Sequence, residues 1–182
     1  MRKIIVSEFV TVDGVMESPE KWSCSLWSDE AGQYKHQELF AADALLLGRT
    51  TYEGFAAAWP TMTDDDGFAD RMNSLPKYVA STTLREAMWN AAPIQGDFVD
   101  EVLRLKQEPG QDILVFGSAD LVHALRQQNL VDEYRLMVFP VVAGIGKRLF
   151  QDGTDSVPLK LIDTQTFSTG VVVLTYQAVS AF

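Results

Sequence analysis

The chain has 182 residues, 47% of them hydrophobic and 22% charged, a composition that fits one soluble globular domain with its own core and excludes a disordered chain. Its formal net charge is −10, and its 15 Lys and Arg residues form no basic block, which excludes a nucleic-acid groove built on clustered cations. The longest apolar runs, 41–48 and 170–176, fall far short of the roughly 20 residues needed to span a bilayer, so no membrane partner is expected.

Residues 2–10, rich in Ile, Val and Phe, predict a first strand. Arg2 and Lys3 precede the apolar residues, but Glu8 arrives before a signal-peptide core can form. The strand ends at Thr11-Val12-Asp13-Gly14. Asp13-Gly14 is a turn signal, and a carboxylate at a strand end either serves the turn or faces a ligand, orienting it or relaying a proton. Cys24 is the only cysteine, so no intrachain disulfide is possible and a cytoplasmic setting is expected. No nearby His in sequence would activate it, so it reads as incidental.

A helix is predicted over 28–41, with Ser28 as N-cap and Asp29 and Glu30 in its electropositive first turn. The apolar run 44–47 predicts a strand buried on both faces, as in the middle of a mostly parallel sheet. It ends at Gly48-Arg49-Thr50-Thr51, and a short helix follows over 50–57. Glycine permits close backbone approach, a helix N-terminus offers free N–H donors, and Arg49 adds a cation with phosphate-matching geometry. An ordinary strand-to-helix turn with a surface arginine explains the same residues. Asp64-Asp65-Asp66-Gly67 reads as a solvated turn and not as a metal site.

A short strand is predicted over 77–80, ending in Ser81-Thr82-Thr83, and a further one over 88–91. Residues 97–107 form an amphipathic helix with Phe98, Val102 and Leu105 on one stripe. The strand 113–116 stops at Gly117-Ser118-Ala119-Asp120-Leu121, which opens a helix over 119–128. A strand over 133–139 leads into a loop at 140–150. The chain then forms an antiparallel pair, 159–167 with 171–179, joined through Ser168-Thr169-Gly170.

These elements predict an α/β fold, a three-layer αβα sandwich whose mostly parallel sheet ends in a C-terminal antiparallel hairpin. Ligands in such sheets bind beyond the carboxyl ends of the strands. Three adjacent parallel strands would bring Arg49, the Ser81-Thr82 hydroxyls and the Gly117-Ser118 helix start to one edge. That arrangement suits a dinucleotide.

Four stretches, in order, resemble the dihydrofolate-reductase-like superfamily, and specifically the family of the C-terminal reductase domain of the bifunctional riboflavin-biosynthesis deaminase/reductase. They are Thr11-Val12-Asp13-Gly14, Leu46-Leu47-Gly48-Arg49-Thr50-Thr51-Tyr52, the Gly117-Ser118 turn, and Leu130-Val131-Asp132-Glu133-Tyr134 leading to Phe139-Pro140-Val141-Val142-Ala143-Gly144. The resemblance implies NADPH binding across the strand ends. Gly48, Arg49, Thr50 and Thr51 would contact the adenosine side and pyrophosphate, with Arg49 near the 2′-phosphate and Ser81 and Thr82 near the adenine ribose. Gly117, Ser118, Ala119, Asp120 and Leu121 would cradle the pyrophosphate. Val12 and Asp13 would border the nicotinamide and substrate. Pro140, Gly144 and Phe150 would form part of the substrate wall, with Trp22 capping the cleft. The family also tends to dimerise, so a homodimer is expected, with Leu136, Val138 and the terminal hairpin as candidate interface.

Two departures narrow the expectation. Gly32 stands near where dihydrofolate reductases proper carry an acid on the pterin-lining helix, which argues against folate as substrate. Two His and one Cys cannot supply the zinc site of a deaminase half. The expected activity is therefore NADPH-dependent hydride transfer to a small heterocycle, with Asp13 as the candidate catalytic residue. The alternative is a nucleotide- or flavin-binding module that does not turn over.

Overall fold

In a computed structural model that describes residues 1–153 and 156–179, one eight-stranded sheet runs through the molecule. Its strands are β1 (Ile4–Thr11), β2 (Ala42–Gly48), β3 (Lys77–Ala80), β4 (Ala91–Pro93), β5 (Asp112–Val115), β6 (Glu133–Phe139), β7 (Leu159–Thr166) and β8 (Val172–Ala178). They lie in the order β4-β3-β2-β5-β1-β6-β8-β7. The first six are parallel, and β6 and β7 pair antiparallel with β8.

Among the described residues, five α-helices cover the two faces: α1 (Asp29–Phe40), α2 (Arg49–Ala58), α3 (Phe68–Ser74), α4 (Phe98–Gln107) and α5 (Ala119–Gln127). Ile5, Leu45, Leu47 and Leu114 pack with Leu39 of α1, Tyr52 of α2 and Met72 of α3. Ile4, Val6, Leu46 and Val115 pack on the other face with Val102 and Leu105 of α4 and Val122 and Leu125 of α5. Alternate residues of one strand thus feed opposite layers, as the two-residue strand period requires. The chain is the three-layer α/β sandwich that its sequence predicts.

Some boundaries differ from expectation. The fourth strand begins at Ala91, because Trp89 and Asn90 hold positive φ (61° and 51°) and make a turn where a strand was expected to start. The helix α3 was not anticipated. The aspartates before it are its N-terminal caps: Asp66 accepts from Phe68 N at 3.1 Å and Asp64 from Ala69 N at 2.5 Å. Leu136 sits in the main core, and Val138, partly buried, packs against it. On the hairpin it is the outer strand β7 that exposes apolar residues, Leu161 and Ile162. No helix among the described residues is long and apolar enough to cross a membrane.

Candidate functional site

β2 hands the chain to α2 on one face of the sheet, and its neighbour β5 hands it to α5 on the other. Where adjacent strands send their connections to opposite faces, the carboxyl ends part and leave a crevice. A cleft of about 1740 Å³ opens at that point. Gly48, Arg49, Thr50, Thr51, Ser81, Thr82, Gly117, Ser118, Ala119, Asp120 and Leu121 all line it. The three strand ends singled out in the sequence are neighbours because β3, β2 and β5 are consecutive in the sheet.

The turns after β2 and β5 are interlocked. Ser118 Oγ accepts from Gly48 N at 2.9 Å and lies 2.9 Å from Thr51 Oγ1. A Cβ on Gly48 would stand 2.3 Å from Ser118 Oγ, so the residue must be glycine for the turns to meet. Gly117 and Ser118 both hold positive φ (63° and 65°), which turns the chain sharply into α5.

The helix starts differ in a telling way. α1 and α4 are capped by their own side chains, Ser28 accepting from Ala31 N and Asp97 from Val99 N and Asp100 N. α2 and α5, which follow the adjacent strands β2 and β5 into the cleft, have no side-chain cap. Their first-turn N–H groups are left to solvent or to an anion. Arg49 at the mouth is half-exposed, ion-paired to Glu53 at 2.7 Å and hydrogen-bonded to Thr83. Gly54 and Gly96 also line the wall, and a side chain at either would meet nothing within 4 Å. These residues fit a phosphorylated dinucleotide: unspent backbone donors, an arginine at the rim, and open backbone along the wall.

Part of the wall is aromatic. Phe9, Trp27 and Phe116 line the cleft, with the Phe9 and Trp27 rings 5.6 Å apart. Lys35 of α1 reaches between them, its ammonium 4.3 Å from the Phe116 centroid. It donates to Ser7 Oγ at 2.8 Å and to Glu38. Glu38 is also held by Arg135 at 3.5 Å. Beside this chain lies Glu8, 4% exposed, accepting from Gly117 N at 3.0 Å. Burial pushes its carboxyl well above the usual range, against the lowering effects of the Gly117 N–H and of Lys35. Apolar walls with a few fixed polar groups are the usual make-up of a small-molecule site.

Six expected site residues are not among those lining the cleft: Val12, Asp13, Trp22, Pro140, Gly144 and Phe150. Asp13 accepts from Thr11 Oγ1 at 2.6 Å, Ala143 N at 3.0 Å and Gly144 N at 2.7 Å. These three donors, Thr11 foremost, draw its pKa down to about 2. The carboxylate therefore pins the 140–150 loop to the end of β1, and a proton relay through it has no geometric support. Trp22 packs edge-on against Phe139 at 5.4 Å and donates its indole N–H to Glu17 O at 3.1 Å, and the tryptophans that line the cleft are Trp27 and Trp59. Phe150 packs on Tyr134. The loop reaches the cleft through Lys147, which is paired with Asp120 at 2.6 Å. Sequence reading missed Glu8 and Lys35. The available signal was Glu8 itself, an acid inside an otherwise apolar and hydroxyl-bearing strand.

Comparison with known proteins agrees with this architecture. The family model described as the RibD C-terminal domain matches residues 2–173. The uncharacterized protein YyaP of Bacillus subtilis is 35% identical over 181 residues, covering 96% of this chain and 94% of that one. A Shewanella sp. PV-4 protein assigned to riboflavin biosynthesis superposes with a TM-score of 0.77 at 20% identity, covering 98% of this chain and 99% of that one. Acinetobacter baumannii RibD superposes with a TM-score of 0.72 at 16% identity, covering 98% of this chain and 58% of that one. At these identities the structural likeness is one of fold.

Proposed function

The chain belongs to the RibD C-terminal domain family, and from that membership we propose that it is an NADPH-dependent reductase acting by hydride transfer on a C=N or C=O bond of a small heterocycle. The observation that carries the reading is the pair of uncapped helices converging on one cleft at the sheet's crossover point. Unspent N–H donors at two helix starts suit the pyrophosphate of a dinucleotide, and Arg49 suits a further phosphate. In this reading Gly48, Arg49, Thr50, Thr51, Ser81 and Thr82 hold the adenosine half, and Gly117, Ser118, Ala119 and Leu121 the pyrophosphate. Phe9, Trp27 and Phe116 supply flat apolar contact for a heterocycle.

The nicotinamide supplies the hydride when bound. The chain's own residues orient the two rings and exclude water between them. Titration with NADPH and NADH, followed by nicotinamide fluorescence and thermal shift, tests the reading. We expect tight binding selective for NADPH. Arg49→Ala should weaken NADPH at least about tenfold, the size expected for one charge-assisted contact, and leave NADH nearly unchanged. Binding of neither nucleotide would overturn the proposal.

A further inference from the structure

β1 is the central parallel strand between β5 and β6, and its sequence is Ile-Ile-Val-Ser-Glu-Phe-Val-Thr. A carboxyl in such a strand is costly unless it is paired or neutral. Glu8 is 4% exposed and lines the cleft. One carboxyl oxygen, Oε2, accepts the Gly117 N–H at 3.0 Å, while Oε1 has no hydrogen-bond partner among the described residues.

The charged groups that act on Glu8 come from α1: Lys35 favours its ionised form and Glu38 its neutral form. Lys35 is already committed to Ser7 and Glu38, so it does not reach across to complete the carboxylate. Desolvation outweighs these influences and keeps the acid protonated well above its ordinary range. Because Oε2 receives the Gly117 N–H, the proton belongs on Oε1. A buried O–H donor without an acceptor therefore belongs to a residue that lines the cleft, and a buried donor left unpaired is destabilising.

We infer that the Glu8 Oε1 hydroxyl is the general acid of the site, bonding the ring nitrogen or carbonyl oxygen of the substrate and giving it a proton as hydride reaches the adjacent carbon. The inference rests on the reductase reading and narrows its substrate class to heterocycles with an sp² nitrogen or oxygen acceptor beside the electrophilic carbon. Electrons and protons balance. The reduced nicotinamide gives two electrons and one hydrogen to carbon, Glu8 gives one proton to nitrogen or oxygen, and C=N becomes CH–NH (or C=O becomes CH–OH). The cofactor leaves oxidised. Glu8 is left as a carboxylate still holding the Gly117 N–H, and it recovers its proton from water admitted through the open cleft once product departs.

Isotope-edited infrared spectroscopy of the chain labelled with ¹³C-carboxyl glutamate tests this without turnover. We expect a neutral carboxylic-acid band at pH 7 that disappears in Glu8→Gln. In parallel, NADPH is titrated by fluorescence into both proteins, and its oxidation is followed with a panel of oxidised pyrimidines and pteridines. Glu8→Gln should bind NADPH as the parent does and lose about 100-fold or more in kcat, the usual share of a general acid. The parent's kcat should fall at high pH as Glu8 ionises, and the variant should lack that limb. An ionised Glu8 at pH 7 in a protein that binds NADPH overturns this inference alone, as does a variant with unchanged kcat. A parent that binds no NADPH overturns the reductase reading and this inference with it.

Discussion

Asp13 shows how a residue with a functional look can be spent on architecture. Its carboxylate collects one hydroxyl and two backbone N–H groups, the latter from residues 130 and 131 positions away. Those bonds, not a substrate, hold its pKa at about 2. Its folded pKa lies below the usual value of 3.8, so the clamp is fully present above that value and is lost as pH falls through about 2. Asp13→Ala should therefore release the 140–150 loop while leaving NADPH affinity within about twofold, since none of its partners belongs to α2 or α5. Hydrogen exchange read by mass spectrometry checks this, with faster exchange expected in peptides spanning Ala143 and Gly144 and unchanged exchange in β5. Unchanged exchange in the loop would show that the backbone pairing of Val12 with Val141 and of Met16 with Lys147 suffices without the carboxylate.

Elements meet most closely where the β2–α2 and β5–α5 turns interlock. Gly48 has an ordinary φ of −77°, so alanine there is barred only by Ser118, whose Oγ and Cβ would lie 2.3 and 2.7 Å from the new methyl. Gly48→Ala should cost roughly 1–3 kcal/mol of stability, the range for overpacking, and weaken NADPH binding by forcing the turns apart. Ser118→Gly removes both clashing atoms and suits the left-handed backbone at that position, and the next nearest atom, Leu121 Cβ, is a comfortable 3.9 Å away. Ser118→Gly also gives up the Ser118 Oγ bonds to Gly48 N and Thr51 Oγ1, so its own cost is measured alone. Gly48→Ala should then cost less stability in urea titrations in the Ser118→Gly background than in the parent, and an equal cost in both would exclude the steric account. The interlock also explains what the sequence could show. Glycine and hydroxyl residues at three strand ends are local signals, and parallel βαβ units fix which edge they share. The Asp13 clamp, the packing of Trp22 on Phe139 and the burial of Glu8 depend on partners remote in sequence or on depth in the fold. No local pattern carries that information. α3 was hidden because its capping aspartates read equally well as a solvated turn.

At the scale of the whole molecule, two buried ionisable groups shape the dependence of stability on pH in opposite directions. The Glu8 carboxyl titrates higher in the folded chain than in the unfolded one, so its contribution is fully present below pH 4.5 and is lost as pH rises through the folded value. Lys77, 1% exposed, is the reverse case. Its ammonium donates to Asn73 O at 3.1 Å and Leu75 O at 2.7 Å and lies 3.9 Å from the Trp89 ring centroid. Burial nonetheless lowers its pKa from 10.5 to about 8. Between those two values the unfolded chain binds the proton more tightly, so stability should rise with pH by up to about 3 kcal/mol, from 1.36 kcal/mol per pKa unit. The window closes near pH 10, because Tyr34 and Tyr134, raised to about 12 by burial, favour unfolding once the unfolded phenols ionise. Urea denaturation at intervals from pH 4 to 10 separates the groups. The parent should gain stability above pH 8, and Lys77→Met should flatten that rise without altering the descending limb that belongs to Glu8. A rise that persists in Lys77→Met would mean that the carbonyl pair and the Trp89 face hold the ammonium charged across the whole range, and that another group sets the alkaline behaviour.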